Sequence, residues 1–230
     1  MTKSFDYRFV SEPCHEPVGD HSPTLLVKTK EGKVAVFEVA AKGNCLFLAM
    51  SHQLFGYEIN SPEHFEGAIK LRSTISQYIM NNLPVFYETL RGEVEYWGAR
   101  YHSTNNPVPE NVHKLFGIQQ RQEKGFHSTL QKIVKYLQDL RMPGQIWGGH
   151  ECVVAVAEIF KVAVEIHVEQ STKLTVDTKD AAAVTTLHIC HRRFSATTDY
   201  PDHYDSVAHD GIPGKFSTMK HLISSLNQVL

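Results

Sequence analysis

Cys45 stands in the run Gly43-Asn44-Cys45-Leu46-Phe47, where alternating apolar residues give way to apolar residues at helical spacing. That junction predicts a cysteine in the first turn of a helix, where unpaired backbone N–H groups and the positive end of the macrodipole stabilise a thiolate and any oxyanion formed beside it. Gly43 permits close backbone approach, Asn44 suits the turn before a helix, and Leu46, Ala49, Met50 and Leu54 supply an apolar helical face. Such a thiol needs a base from elsewhere in the chain. The candidate is His203 in His203-Tyr204-Asp205-Ser206-Val207, where strand alternation places His203 and Asp205 on one face and Tyr204 on the other. A carboxylate so placed orients an imidazole and stabilises its charged form, the third role in a catalytic triad. Taken alone, a cysteine is more often a small buried apolar residue, and 14 histidines make one His-x-Asp unsurprising. The two motifs together weigh more than either. Cys14 beside His15 is a rival pair, but neighbours in an irregular arm seldom meet productively.

The elements that must position these residues read as an α/β or α+β domain with a small central sheet flanked by helices. Residues 1–23 are polar, carry Pro13, Pro17 and Pro23, and read as an irregular N-terminal arm. Thr24-Leu25-Leu26-Val27 and Val34-Ala35-Val36-Phe37 flank Glu31-Gly32 as a hairpin that delivers the chain to the Cys45 loop. Ser61-Pro62 opens a helix whose expected buried stripe is Phe65, Ile69, Ile75 and Ile79, ended by Asn81-Asn82-Leu83-Pro84. Phe86, Leu90, Val94, Trp97 and Tyr101 imply a second helix, and Leu130, Ile133, Val134 and Leu137 a third after the turn-rich Asn105 to Pro109. Cys152 to Ala157 reads as a buried helix, Val162 to Val168 as a central strand, and Thr185 to Cys190 as a further strand. Arg192 to Asp202 reads as a polar loop leading to His203. Phe216, Met219, Leu222, Ile223, Leu226 and Val229 suggest a docked terminal helix over 209–230.

Composition bounds the function without choosing it. The chain has 230 residues, 42% of them hydrophobic, and a formal charge of −2, so it can bury one good core and has no general pull toward nucleic acid or an anionic membrane. No apolar run reaches bilayer length and the N-terminus lacks the pattern of a secretory signal, which makes a soluble cytosolic protein the expectation. Cys14, Cys45, Cys152 and Cys190 form no metal-ligand spacing and no disulfide framework, and Cys152 and Cys190 are expected to be buried and inert.

Three short motifs in order resemble the ovarian tumour (OTU) type cysteine proteases, which are mostly deubiquitinases. Gly43-Asn44-Cys45-Leu46-Phe47 resembles the nucleophile motif, Trp147-Gly148-Gly149-His150 the Trp-Gly turn before a second helix, and His203 to Val207 the His-Tyr-Asn/Asp-Ser-Val strand. The resemblance covers roughly residues 24 to 208. It implies a catalytic triad of Cys45, His203 and Asp205, an oxyanion hole of backbone N–H groups from Lys42, Gly43, Asn44 and Cys45, and acyl transfer without metal or cofactor. It also implies ubiquitin or polyubiquitin as the partner, with isopeptide hydrolysis through a thioester. Trp147, His150, Asp199 and Asp202 are candidate substrate contacts, the two aspartates because the ubiquitin tail carries arginines beside its diglycine. Lys42 departs from the motif, which usually has Asp there. The acid role therefore falls to Asp205, while a nearby ammonium could favour the thiolate. The same departure keeps open a weakened or inactive ubiquitin-binding module, and a protease for another modifier or a protein precursor is a further alternative. The stretch between the nucleophile helix and Trp147, on the order of 90 residues, exceeds what a connection needs. Its part over about 84–126 is similar in placement to helical insertions of bacterial effector OTU proteases, whose place of action would be a host cytosol.

Overall fold

The computed structural model describes residues 24–40, 43–96, 107–144, 146–178, 183, 185–193 and 202–208. Leu25–Lys28 (β1) and Lys33–Phe37 (β2) form the expected antiparallel hairpin. The helix Cys45–Phe55 (α1) begins at Cys45 itself and is buried along its whole length, because it packs both on the sheet and on the helix Pro62–Asn81 (α2). It ends at Gly56, whose left-handed φ of 62° lets its N–H close back onto the His52 carbonyl.

The start of α2 follows from its sequence: Ser61 Oγ accepts a hydrogen bond from the His64 N–H at 3.1 Å, and Pro62 occupies the first turn. Its buried face differs from the expected stripe. Ala68, Leu71, Arg72, Ile75, Ser76 and Ile79 point inward, Phe65 is half-buried and Ile69 is 42% exposed. Positions 68, 72, 75, 76 and 79 share one face at the helical period, and Ile69 lies about 100° round from Ala68. Two members of that face are polar, so apolarity alone traces the wrong line.

Leu83–Tyr96 (α3) buries Phe86, Leu90 and Val94 as expected; Trp97 and Tyr101 lie outside the described residues. Short helices Glu110–His113 (α4) and Ile118–Arg121 (α5) lead to Phe126–Leu140 (α6), and His150–Phe160 (α7) follows the Trp147 turn. Leu90, Val94, Val112, Phe116 and Phe126 belong to the same hydrophobic cluster as α1 and α7, so the segment over 84–126 shares one core with the helices around Cys45.

The strands Ala163–Val168 (β3), Leu174–Val176 (β4), Thr186–Arg193 (β5) and Asp202–Val207 (β6) complete a mixed six-stranded sheet in the order β1-β2-β6-β5-β3-β4. Only β3 and β5 are parallel among these pairs. One face carries Val164, Ile166, Leu187 and Ile189 into the main core, and the other holds a small cluster of Val27, Val36, Cys190 and Val207. Arg192 and Asp202, expected in a loop, are strand residues: Arg192 pairs with His203 and Arg193 with Asp202. The ladder runs on through these charges because the Arg192 charge has a buried partner on β6. Residues 1–23 and 209–230, expected as an arm and a terminal helix, lie outside the described residues. No described helix is long and apolar enough to cross a membrane.

Polar contacts fix α1 against β5 and β6, and so fix Cys45 relative to His203. The Gln53 amide donates to Ser206 Oγ at 2.7 Å and to the Val207 carbonyl at 2.9 Å, and its oxygen accepts from the His188 N–H at 3.2 Å. His52 Nδ1 lies 2.6 Å from the same Ser206 hydroxyl. On the α2 side, the Asn60 N–H donates to His64 Nδ1, which leaves the ring proton on Nε2 to donate to the Leu48 carbonyl at 2.7 Å. Burial pushes the His64 pKa down, in keeping with a neutral ring.

Candidate active site

Cys45, His203 and Asp205 meet at the junction of α1 and β6. The His203 ring hydrogen-bonds to Cys45 on one side, and on the other its Nε2 lies 2.8 Å from Asp205 Oδ1. All three residues are buried. Burial opposes a charged His203 ring, yet the hydrogen bonds to Asp205 and Cys45 outweigh it and raise its pKa to about 9.

Asp205 is held from three directions. Its Oδ1 also accepts from the Val39 N–H at 3.1 Å, which ties it to the chain leaving β2 for the nucleophile loop. Its Oδ2 accepts from Arg192 Nε at 2.5 Å, and the Arg192 guanidinium reaches on to Glu38 at 3.1 Å. The bonded guanidinium keeps the carboxylate from swinging away from the imidazole. Sequence reasoning missed Arg192. His188, Cys190 and Arg192 alternate along β5, but only the strand register puts Arg192 opposite His203, and the sequence does not show that register.

The nucleophile loop depends on a second arginine. Gly43 has φ 74°, which favours glycine, and a Cβ there would come within 3.0 Å of Trp147 Nε1. Arg72, fully buried on α2, donates to the Gly43 carbonyl at 2.5 Å and to Asn44 Oδ1 at 2.6 Å. It also donates to the carbonyls of Leu140 at 2.6 Å and Ile146 at 2.8 Å, and its guanidinium carbon sits 4.2 Å above the centre of the Phe47 ring. Burial lowers its pKa to about 10. Arg72 therefore remains a fixed cation beside the nucleophile loop and joins that loop to the segment after α6. Asn44, expected as a helix-start residue, makes no side-chain cap; its carboxamide oxygen serves Arg72 instead.

Gly43, Cys45, Leu46, Trp147, Gly148 and Tyr204 line a narrow cleft at the sulfur. Gly148 presses on α1 so closely that a Cβ would lie 2.6 Å from the Phe47 ring. Trp147 is thus brought to the site as expected. His150 opens α7, is exposed, and is not among the described residues that line the cleft. Lys42 and Asp199 lie outside the described residues, and Asp202 is placed as the first residue of β6. The backbone groups of Gly43, Asn44 and Cys45 are at the mouth of α1, where first-turn N–H groups have no intrahelical acceptor.

Behind the cleft, Glu151 Oε1 accepts from the Tyr136 hydroxyl at 2.8 Å, the Gly149 N–H at 3.1 Å and the Cys152 thiol at 3.3 Å. Cys152 is wholly buried and its pKa lies well above the ordinary thiol value, from burial first and the Glu151 charge second. Burial, with Asp205 nearby, pushes Cys190 up to about 12. Both are poor nucleophiles, as expected of the two buried thiols.

A family model described as OTU-like cysteine protease matches residues 40–204, which include Cys45, Arg72, Trp147, Arg192 and His203. Asp205 is the residue just past that match, on β6. No curated protein matches the chain. Similar solved structures include the viral OTU domain protease from Farallon virus, at 16% identity and TM-score 0.44 over 75% of this chain and 82% of that one. An OTU deubiquitinase from Wolbachia pipientis wMel is 15% identical at TM-score 0.39 over 81% and 94%. An ovarian tumour domain in complex with ubiquitin is 14% identical at TM-score 0.40 over 86% and 88%. Likenesses this distant do not carry a function across.

Proposed function

Because the chain belongs to the OTU-like cysteine protease family, we propose that it hydrolyses the isopeptide bond at the ubiquitin C-terminus through a thioester on Cys45. His203 takes the thiol proton, Asp205 holds the ring, and the sulfur attacks the carbonyl carbon while the developing oxyanion meets backbone N–H groups of the loop from Lys42 to Cys45. The lysine amine leaves with the proton from His203. Water, giving its proton back to the ring, then hydrolyses the thioester and frees the sulfur.

The observation that carries the substrate reading is the cleft. Two glycines, Gly43 and Gly148, and two aromatic residues, Trp147 and Tyr204, line it with Cys45 and Leu46. Such a slot suits an acyl chain whose last residues have no side chains, which a diglycine terminus provides. Asp199 and Asp202, just before His203, are the acidic groups we assign to the arginines next to that diglycine, and Trp147 the aromatic wall. The cytosol is the place of action that fits this substrate.

The test is incubation with ubiquitin carrying a C-terminal electrophile, followed by intact mass and peptide mapping. One ubiquitin joined to Cys45 is the expected result. A folded protein that captures no ubiquitin but is modified at Cys45 by the same electrophile on another modifier would move the substrate and keep the chemistry. Ubiquitin bound without any covalent capture would make the chain a binding module.

A further inference from the structure

The strands β3 and β5 bring Glu165, His167 and His188 together on the sheet face opposite the main core, far along β5 from the triad. Glu165 and His188 face each other directly in the parallel ladder, and His167 follows Glu165 by one pleat. Their nearest ligand atoms form a compact triangle. His167 Nε2 lies 3.4 Å from His188 Nδ1, His188 Nδ1 lies 3.5 Å from Glu165 Oε2, and His167 Nε2 lies 4.0 Å from the same oxygen. The centre of a triangle with those edges is about 2.1 Å from each corner, which is the zinc–nitrogen and zinc–oxygen bond length. We propose that Glu165, His167 and His188 form a binding site for a first-row transition-metal dication of the zinc class, spanning β3 and β5.

The ligand set argues for that class of cation. Imidazole with one carboxylate suits zinc and its neighbours, whereas calcium and magnesium take oxygen ligands. Closing the 4.0 Å edge to about 3.4 Å would lift the cation out of the donor plane into a tetrahedral arrangement with a fourth position, and all three side chains retain some exposure, so a water can reach it. Lys173 is the charge to reckon with. Its ammonium bonds Glu165 Oε1 at 2.9 Å, which is the carboxylate oxygen the triangle does not use. The exposed Glu31 carboxylate accepts from the Lys173 N–H and is close enough to His167 for their charges to interact, so negative charge offsets that ammonium beside the site. Metal binding replaces the hydrogen bond between the two imidazoles with two metal–nitrogen bonds.

The site is separate from the catalytic one. His188 and Arg192 are four residues apart on one face of β5, about 13 Å along the strand, and Cys190 between them is buried and is not among the ligands. The cation would clamp two neighbouring strands and support the strand that carries Arg192 to Asp205.

A test must keep the thiol and imidazole of the active site from binding zinc themselves. The full chain carrying Cys45→Ala is stripped with a chelator and titrated with Zn²⁺ by equilibrium dialysis, with its thermal midpoint followed in parallel. One Zn²⁺ per chain and a higher midpoint are expected. His188→Gln and, independently, Glu165→Gln should each weaken binding at least 100-fold, since even second-shell changes at such sites cost about 10- to 100-fold. Circular dichroism of each metal-free variant establishes that it is folded, and Glu165→Gln keeps an acceptor for Lys173. No Zn²⁺ bound by the Cys45→Ala chain, or binding that survives either folded variant, would overturn the proposal.

Discussion

Asp205→Asn should lower kcat/KM about 1,000- to 10,000-fold while leaving the protein folded, because the amide keeps the shape of the side chain and loses the charge that orients and supports the imidazole. Two charge-assisted contacts change at once: the bond to His203 Nε2 and the bond from Arg192 Nε. The pH profile should change with the rate. In the intact site the ring keeps its proton until about pH 9, so it can still donate to the leaving amine through the neutral range and activity declines as pH rises through about 9. The part of that elevation that comes from Asp205 disappears in the variant. Its alkaline limb should therefore move to lower pH, toward the ordinary histidine value of about 6.5. Linkage gives stability the same sign. A ring pKa raised on folding adds stability that is full below about pH 6.5 and is lost as pH rises through about 9. An alkaline limb that stays in place in Asp205→Asn would assign the ring's support to other groups.

Arg72→Met should cost about 3–5 kcal/mol of stability, the range for removing one partner of a buried charged network. The expected cost comes from what is left behind. The carbonyls of Gly43, Leu140 and Ile146 and the amide oxygen of Asn44 would lose their buried donor together. For a chain of this size that is a fall in thermal midpoint of roughly 6 to 20 °C. Arg72→Lys keeps the charge but not the planar fork, so it should recover part of the stability and less of the kcat. That split identifies positioning of the nucleophile loop as distinct from general support of α2. Denaturant unfolding of Arg72→Met that changes by less than about 1 kcal/mol, within the ordinary range for single substitutions, would show that the loop is held by other contacts.

The triad was legible because each part is a local pattern: a cysteine where strand spacing turns helical, and a histidine and aspartate two residues apart on a strand. The hairpin, the Ser61 start of α2 and the buried helix at Cys152 were legible for the same reason. The residues that hold the triad were not. Arg72 is a charge on an amphipathic helix, and such charges usually face water; its burial depends on carbonyls contributed from the nucleophile loop and from the far end of α6. Arg192 looked like the start of a polar loop because its partner, Asp205, is 13 residues away across a strand pair. Ile69 misled for the converse reason, as an apolar residue that sits beside a buried face with polar members. The pairing of Glu165 and His167 with His188 likewise requires the register of a parallel ladder, which no spacing within the chain announces.

The two inert thiols have a use that follows from where they lie. Cys152 sits on α7 within the main core, and Cys190 sits in the small cluster on the other face of the sheet. Neither can meet an alkylating reagent until its surroundings open, so the rate at which each is labelled counts how often that side of the protein comes apart. In chains that retain only one of the two, equal labelling rates would mean that both faces part in a single event. A faster Cys190 would mean that the face bearing His203 and Asp205 breathes on its own, and that the triad is dismantled and rebuilt many times within the lifetime of one folded molecule.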